Sequence, residues 1–78
     1  MENYTFDEFE EILNNGYQVY FTYLKNRFLL FKTADNCYTQ KLIAVGQKNP
    51  PPSLSIVTKK YLMEIYAFME DVEYKYDV

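Results

Sequence analysis

The stretch that decides the fold is residues 16–33, GYQVYFTYLKNRFLLFKT. It contains two runs rich in aromatic and branched aliphatic residues, VYFTYL and FLLF, which are separated by Lys25, Asn26 and Arg27. Such runs on either side of a short polar segment are typical of a β-hairpin. The stretch therefore predicts two antiparallel strands joined by a tight turn.

Two positions of the turn are compatible with this hairpin. A turn at residues 25–26 would pair Phe21 with Leu30, whereas a turn at residues 24–25 would pair Phe21 with Phe28. Both registers give the same two faces, because side chains alternate along a strand. The opposite face is also apolar, so we expect it to be covered or to bind something. The predicted core face comprises Val19, Phe21, Tyr23, Phe28 and Leu30, and the opposite face Tyr20, Thr22, Leu29 and Phe31.

A helix is predicted before the hairpin. Residues 5–8, TFDE, form a capping box, in which a threonine hydroxyl and a glutamate carboxylate each accept a backbone N–H at the helix start. Phe9 and Leu13 recur at helical spacing, and Gly16 supplies a left-handed stop. We expect this first helix at residues 5–15.

A third strand is predicted after the hairpin, at residues 37–45. Either Ile43 and Val45 or Leu42 and Ala44 would face the core, since alternate residues share a face.

The remainder of the chain predicts a loop, a second helix and a tail. Residues 46–53 contain three consecutive prolines, which remove backbone donors and predict a stiff crossover loop. A second helix is expected from Ser55 or Thr58 to about residue 71, followed by an extended tail at residues 72–78 or a short edge strand. The apolar stripe of this helix would comprise Tyr61, Leu62, Ile65, Phe68, Met69 and Val72.

These elements predict one α+β domain spanning residues 1–78, with the order α-β-β-β-α. Because each amphipathic stripe needs a cover and short connections keep neighbours adjacent, both helices should pack on one face of a three-stranded antiparallel sheet. At 78 residues the chain is small, and nine tyrosines and six phenylalanines supply much of the apolar area that it can bury.

The charge of the chain is unevenly distributed, although its net charge is only −3. Residues 1–11 carry five acids and no base, residues 12–63 carry seven bases and one acid, and residues 64–78 carry five acids and one base. Both ends are therefore acidic and the middle is basic.

The residue types argue against catalysis. The chain has no histidine, which excludes Ser-His-Asp and Cys-His catalysis and imidazole metal sites within one chain. Cys37 lacks a partner base, and the carboxylates near the start fit a solvated helix face. We expect a non-enzyme without cofactor or metal. A lone cysteine, no apolar run long enough to span a membrane and no leader predict a cytoplasmic protein.

Residues 13–23, LNNGYQVYFTY, preceded by the F-x-x-F-E-E helix, look like a set of small proteins from Gram-positive bacteria and their phages. That pattern consists of an acidic helix, a glycine, an aromatic strand, a tight turn and a second aromatic strand. The resemblance covers about residues 5–31. It implies a phage or mobile-element setting and no particular chemistry.

Three binding hypotheses follow. The first is a small acidic interaction module that docks on a basic protein surface, such as an inhibitor of a host nucleic-acid or defence enzyme, for instance a nuclease. The second, less favoured, is nucleic-acid binding by the exposed sheet face, where Tyr20 and Phe31 would stack on bases. The cations meeting phosphates would be Lys25, Arg27, Lys32 and Lys41. The third is homodimerisation through the apolar second face. The candidate partner-binding residues are Glu70, Asp71, Glu73, Tyr74, Tyr76, Asp77, Tyr20 and Phe31.

Overall fold

A computed structural model describes residues 5–46 and 48–76 of the chain. The elements follow in the order α1 (Phe6–Asn14), β1 (Tyr17–Tyr23), β2 (Asn26–Ala34), β3 (Cys37–Ala44), β4 (Leu54–Thr58), α2 (Lys59–Ile65), a short 3-10 helix (Tyr66–Phe68) and β5 (Glu70–Tyr76).

The five strands form one antiparallel sheet with the spatial order β4-β3-β2-β1-β5. The α+β class is therefore confirmed, whereas the prediction of three strands in the order α-β-β-β-α was wrong. Strand β4 precedes the second helix, and strand β5 follows it. The predicted hairpin and third strand form the middle of the sheet. One edge is β4, which was not predicted, and the other is β5, which corresponds to the predicted alternative of a short edge strand in the tail.

The turn of the central hairpin resolves the choice of register. Leu24 and Lys25 both have positive φ angles, 50° and 68°. Two consecutive residues of this kind form a turn whose twist matches that of paired strands. The register places Phe21 opposite Phe28 and Val19 opposite Leu30, as expected for a turn at residues 24–25.

Helix α1 begins with the predicted capping box. The Glu8 amide donates to the Thr5 hydroxyl at 3.3 Å, and the Thr5 amide donates to the Glu8 carboxylate at 3.3 Å. The helix gives way to strand β1 at Gly16, which has a φ of +91°. The N-terminal signals and the glycine stop thus place this helix correctly.

The second helix is shorter than predicted. Thr58 caps it, accepting a hydrogen bond from the Tyr61 amide at 3.3 Å, which confirms the later of the two predicted starts. The α-helix ends at Ile65 rather than near residue 71. Acidic residues are unfavourable at a helix C-terminus, and the alternating apolar pattern beyond it suits a strand. Residues 70–76 accordingly pair with β1, and residues 77–78 of the predicted tail lie outside the described part of the chain.

Residues 54–58 form strand β4 where the earlier of the two predicted helix starts would have placed helix. Val57 pairs with Tyr38 and Leu54 pairs with Lys41 on strand β3. Two of the five residues of β4 are β-branched apolar residues, which favours an extended chain. Residues 48–53 of the predicted proline loop form neither helix nor strand. The side chain of Asn26 anchors the start of this loop, because its Oδ1 accepts the Gly46 amide at 3.0 Å.

Both helices pack on the predicted core face of the sheet. Val19, Phe21 and Leu30 are fully buried there. On strand β3 the half-buried Leu42 packs against the core, whereas Ile43 is about half exposed. Of the two predicted alternatives for this strand, the one with Leu42 facing the core agrees better with the structure. The core cluster comprises Phe9, Leu13, Val19, Phe21, Phe28, Leu30, Tyr38, Val57, Leu62, Ile65 and Met69.

Candidate functional site

The sheet divides the candidate binding residues that the structure describes between its two faces. Tyr20 pairs with Glu73 on the face away from the helices, and Phe31 lies on that same face. Tyr74 pairs with the buried Val19 and therefore points to the helix side, where it packs against the core. The candidates are thus not one surface. Asp77 lies outside the described residues.

A β-bulge shapes the acidic end of strand β5. The pairing of β1 with β5 shifts between Tyr20 opposite Glu73 and Thr22 opposite Glu70. Asp71 lies in this extra step with a φ of 50°. Bulges of this kind bend an edge strand and disrupt its ladder. Glu70 and Glu73 consequently both project on the open face, with Asp71 displaced between them.

Arg27 ties this bulge to the middle of the sheet. Its guanidinium donates to the Thr22 hydroxyl at 3.1 Å and to the Asp71 carbonyl oxygen at 2.6 Å. It also forms an ion pair with Glu73 at 3.5 Å. The side chain of Arg27 is 22% exposed, so this guanidinium is committed to contacts within the chain.

The open face of the sheet is a mixed apolar and charged surface. Its central residues Tyr20, Leu29 and Phe31 are half-buried, and the Lys75 ammonium lies 5.2 Å from the centre of the Tyr20 ring. Lys41 pairs with Leu29 from strand β3. The face therefore presents aromatic rings together with both signs of charge.

A groove runs along the other side of strand β5, between the sheet and helix α1. Its volume is about 440 Å³. One wall consists of Glu8, Glu11 and Ile12 from α1, and the other includes Tyr17 and Tyr74. Two carboxylates on one wall and two aromatic rings on the other suit a cationic group, since cations bind both carboxylates and aromatic faces.

The fold brings the two acidic ends of the chain to one edge of the sheet. Strand β5 pairs with β1, and the groove brings Glu8 and Glu11 of α1 beside the same two strands on the helix side of the sheet, whereas Glu70 and Glu73 project on the open face. We call this region, which spans both faces of the sheet at strand β5, the acidic edge: Glu8, Glu11, Glu70, Asp71 and Glu73. At the opposite edge, Lys41 lies beside β4, and Lys59 and Lys60 follow that strand.

The basic residues of the nucleic-acid hypothesis do not gather around the stacking candidates. Lys32 pairs with the core residue Tyr38 across the sheet and forms an ion pair with Asp35 at 3.8 Å. Lys25 lies in the hairpin turn, and Arg27 is held by β5. Lys41 shares the open face, where the cation beside Tyr20 is Lys75 of strand β5, which the hypothesis did not include. The four cations of the hypothesis therefore do not form one phosphate track along the rings.

Two tyrosines, the buried Tyr38 and the half-buried Tyr66, have raised pKa values. Burial raises the pKa of Tyr38 above its ordinary value, with a smaller contribution from Glu10, and burial raises the pKa of Tyr66, with a contribution from Glu8. Both pKa shifts favour the neutral phenol. Over residues 5–46 and 48–76, no group of three or more acids and cysteines is placed to hold a metal ion.

Sequence reasoning missed the groove and the β4 edge. The acids Glu8 and Glu11 were visible as a helix face, but Tyr17 and Tyr74 join them only through the pairing of β1 with β5. No local sequence pattern predicts the pairing of β1 with β5, because the two strands are far apart in the chain.

The comparisons with known proteins add no family. No protein-family model matches the chain, and neither the curated proteins nor the solved structures include a match to it. In the described part of the chain, no helix is long and apolar enough to cross a membrane.

Proposed function

We propose that this protein is a small non-catalytic interaction module that docks its acidic edge on a basic protein surface. The observation that carries the proposal is that acids from both ends of the chain lie at one edge of the sheet, those of α1 on its helix side and those of β5 on its open face. Complementary charge of this kind speeds encounter and selects partners.

The groove between α1 and β5 adds shape to this charge. An arginine or lysine side chain of a partner would place its cation between Glu8 and Glu11 and stack its stem on Tyr17 or Tyr74. Tyrosine is well suited to such a contact, because it offers a large rigid surface at low entropic cost. The groove would supply specificity, and the surrounding acids would supply long-range attraction.

The partner that fits this chemistry is a nucleic-acid enzyme, such as a host nuclease or another defence enzyme. The basic surface of such an enzyme binds the phosphates of a nucleic acid. Carboxylates on a strand and a helix of this protein would bind to that surface in place of the phosphates. The resemblance of residues 5–31 to small phage and mobile-element proteins supports an inhibitory role. A cytoplasmic location would follow from that role.

The test compares two charge-reversal variants. Glu11→Lys with Glu70→Lys changes the acidic edge but keeps the Thr5–Glu8 capping box and the Arg27–Glu73 ion pair. Lys41→Glu with Lys60→Glu is the matched control at the opposite edge. Each protein is used as bait in a bacterial lysate with and without nuclease treatment, and captured proteins are identified and then titrated in purified form at several salt concentrations.

We expect one nucleic-acid enzyme to be captured by the wild type and by the basic-edge control but lost with the acidic-edge variant. Its affinity should fall as salt rises, since exposed charges are screened. Capture of RNA or DNA that disappears after nuclease treatment, or equal capture by both variants, would refute the proposal. Urea unfolding confirms that both variants are folded.

A further inference from the structure

The two edges of the sheet are protected very differently. Strand β5 carries the bulge at Asp71 and four charged side chains, features that natural sheets use to prevent edge pairing. Strand β4, with the sequence LSIVT, carries no charge and its pairing with β3 has no bulge. Within the described residues, β4 is therefore the unprotected edge.

The ladder between β3 and β4 shows which backbone groups point outward. The Leu42 amide donates to the Ser53 carbonyl oxygen at 2.9 Å, so residues 53, 55 and 57 bond to β3 in this register. Hydrogen-bonded and outward-facing residues alternate along an antiparallel strand. The N–H and C=O groups of Leu54 and Ile56 consequently face away from β3.

The side chains of the same two residues lie on the open face. Leu54 is 60% exposed and Ile56 is 68% exposed. They pair with Lys41 and Thr39, and so extend the apolar surface around Leu29 and Phe31 to the very edge of the sheet. Free backbone groups and exposed apolar side chains thus coincide on one five-residue strand.

We infer that strand β4 pairs with β4 of a second copy of this chain. An antiparallel pairing about a two-fold axis at Ile56 places Ile56 opposite its own counterpart and Leu54 opposite Thr58 of the other copy. The Ile56 pair exchanges two backbone hydrogen bonds, and the Leu54 carbonyl oxygen accepts from the Thr58 amide of the other copy, whose own carbonyl oxygen begins helix α2. The contact is isologous and closed, and it joins two sheets into one ten-stranded sheet.

Charge and length favour a second copy over other occupants. Self-pairing of β4 opposes no like charges within the strand, whereas β5 carries three acids and the bulge at Asp71, and both features oppose edge pairing. Residues 50–52 are prolines, so the edge offers no donors before residue 53, and Lys59 begins a helix. A longer foreign strand would overhang both ends, but a second β4 has the same length.

The contact is small, and the dimer is correspondingly weak. A strand of five residues at a rise of about 3.4 Å is about 17 Å long. A standard interface buries about 800 Å² of surface on each partner, and the pairing of two such strands buries less than that. The two acidic edges then lie at opposite ends of the joined sheet. Each dimer therefore presents two copies of the surface proposed to bind the partner, although the dimer does not depend on that binding.

The test combines sedimentation equilibrium with amide hydrogen exchange measured by NMR, over protein concentrations reaching the millimolar level. The wild type should pass from monomer to dimer, and the amides of Ile56 and Thr58 should become protected as the dimer forms. The amides of Ser55 and Val57 should be protected at every concentration. Ile56→Lys should weaken the dimer by at least about tenfold, because a charge on an edge blocks pairing. Ile43→Lys, a change of an exposed isoleucine beyond the end of β4, should leave the dimer intact.

Several results would overturn the inference. A protein that stays monomeric throughout, or a dimer that persists in Ile56→Lys, excludes pairing through β4. A dimer in which the Ile56 amide remains unprotected from exchange would indicate that the two copies associate through the open face of the sheet rather than through β4. A series of higher oligomers points to head-to-tail contact between β4 and β5. Because Ile56 is mostly exposed, the variant should fold, which urea unfolding checks independently.

Discussion

The guanidinium of Arg27 on strand β2 donates to the main-chain carbonyl oxygen of Asp71 at 2.6 Å, reaching across β1 to the bulge of β5. This contact joins the centre of the sheet to the strand that carries the acidic edge. It also removes Arg27 from the cations available to a phosphate. Arg27, one of the cations of the nucleic-acid hypothesis, thus holds strand β5 and its acidic residues in place.

Loss of this contact should loosen β5. Arg27→Gln removes the charged donor to Asp71 and the ion pair with Glu73, so we expect the free energy of unfolding to fall by about 1–2 kcal/mol. Arg27→Lys keeps the charge but loses the planar guanidinium group, so its free energy of unfolding should lie between those of the wild type and Arg27→Gln. Urea unfolding measures both. A control, Lys41→Gln at an exposed position, should change stability by less than about 0.5 kcal/mol, and an equal effect of the control would contradict this account.

The two glycines differ in why they are needed. A Cβ on Gly46 would overlap the carbonyl oxygen of Lys25, whereas a Cβ on Gly16 would lie 3.7 Å from its nearest neighbour, the Tyr76 ring. Gly16→Ala therefore suffers only from its φ of +91°, at about 1 kcal/mol. Gly46→Ala must displace backbone and should cost about 2 kcal/mol or more. Thermal and urea unfolding should rank the two variants in that order, and the reverse ranking would disprove the close approach.

The capping box of α1 should contribute measurably to stability. Thr5→Ala removes the acceptor of the Glu8 amide, and we expect a loss of about 1 kcal/mol. The urea midpoint should fall with no change in partner binding. Ser53→Ala removes an exposed hydroxyl outside any helix and serves as the control. An unmoved midpoint for Thr5→Ala would mean that the cap does not hold the helix in solution.

The raised pKa values of Tyr38 and Tyr66 predict a loss of stability at alkaline pH. Burial raises the pKa of Tyr38 and of Tyr66 above the ordinary value of 10.0, so above that pH the folded state retains protons that the unfolded state loses. Their contribution to stability is therefore complete below pH 10 and is lost as the pH rises through the folded pKa values. Urea unfolding from pH 8 to 11 under reducing conditions should show this decline, and Tyr38→Phe should make it shallower. A stability that stays constant to pH 11 would rule it out.

The hairpin and the first helix were predictable because their signals are local. The capping box of residues 5–8, the stop at Gly16 and the alternation on either side of Leu24 and Lys25 act within a few residues of one another. The turn position stayed open until the structure was known, since neither candidate pair contains a glycine to mark a positive φ. The two faces of the hairpin did not depend on that choice.

The edge strands were not predictable in the same way. Residues 54–58 precede a helix and carry a pattern compatible with either state, and only the ladder with β3 makes them a strand. Residues 70–76 alternate as a strand would, but their partner β1 begins more than fifty residues earlier. Long-range pairing of this kind depends on the whole sheet, so propensity alone does not decide it.

The sequence by itself determined the α+β class, the central hairpin with its apolar faces, the capped first helix and the acidity of both ends. Each of these depends on spacing within one turn of helix or one pair of strands. Only the tertiary structure decided that the acidic ends meet at one edge, that Tyr17 and Tyr74 complete a groove with Glu8 and Glu11, and that β4 is left unprotected. These features arise from contacts between distant segments, because strand order is set by how the whole chain buries its apolar surface.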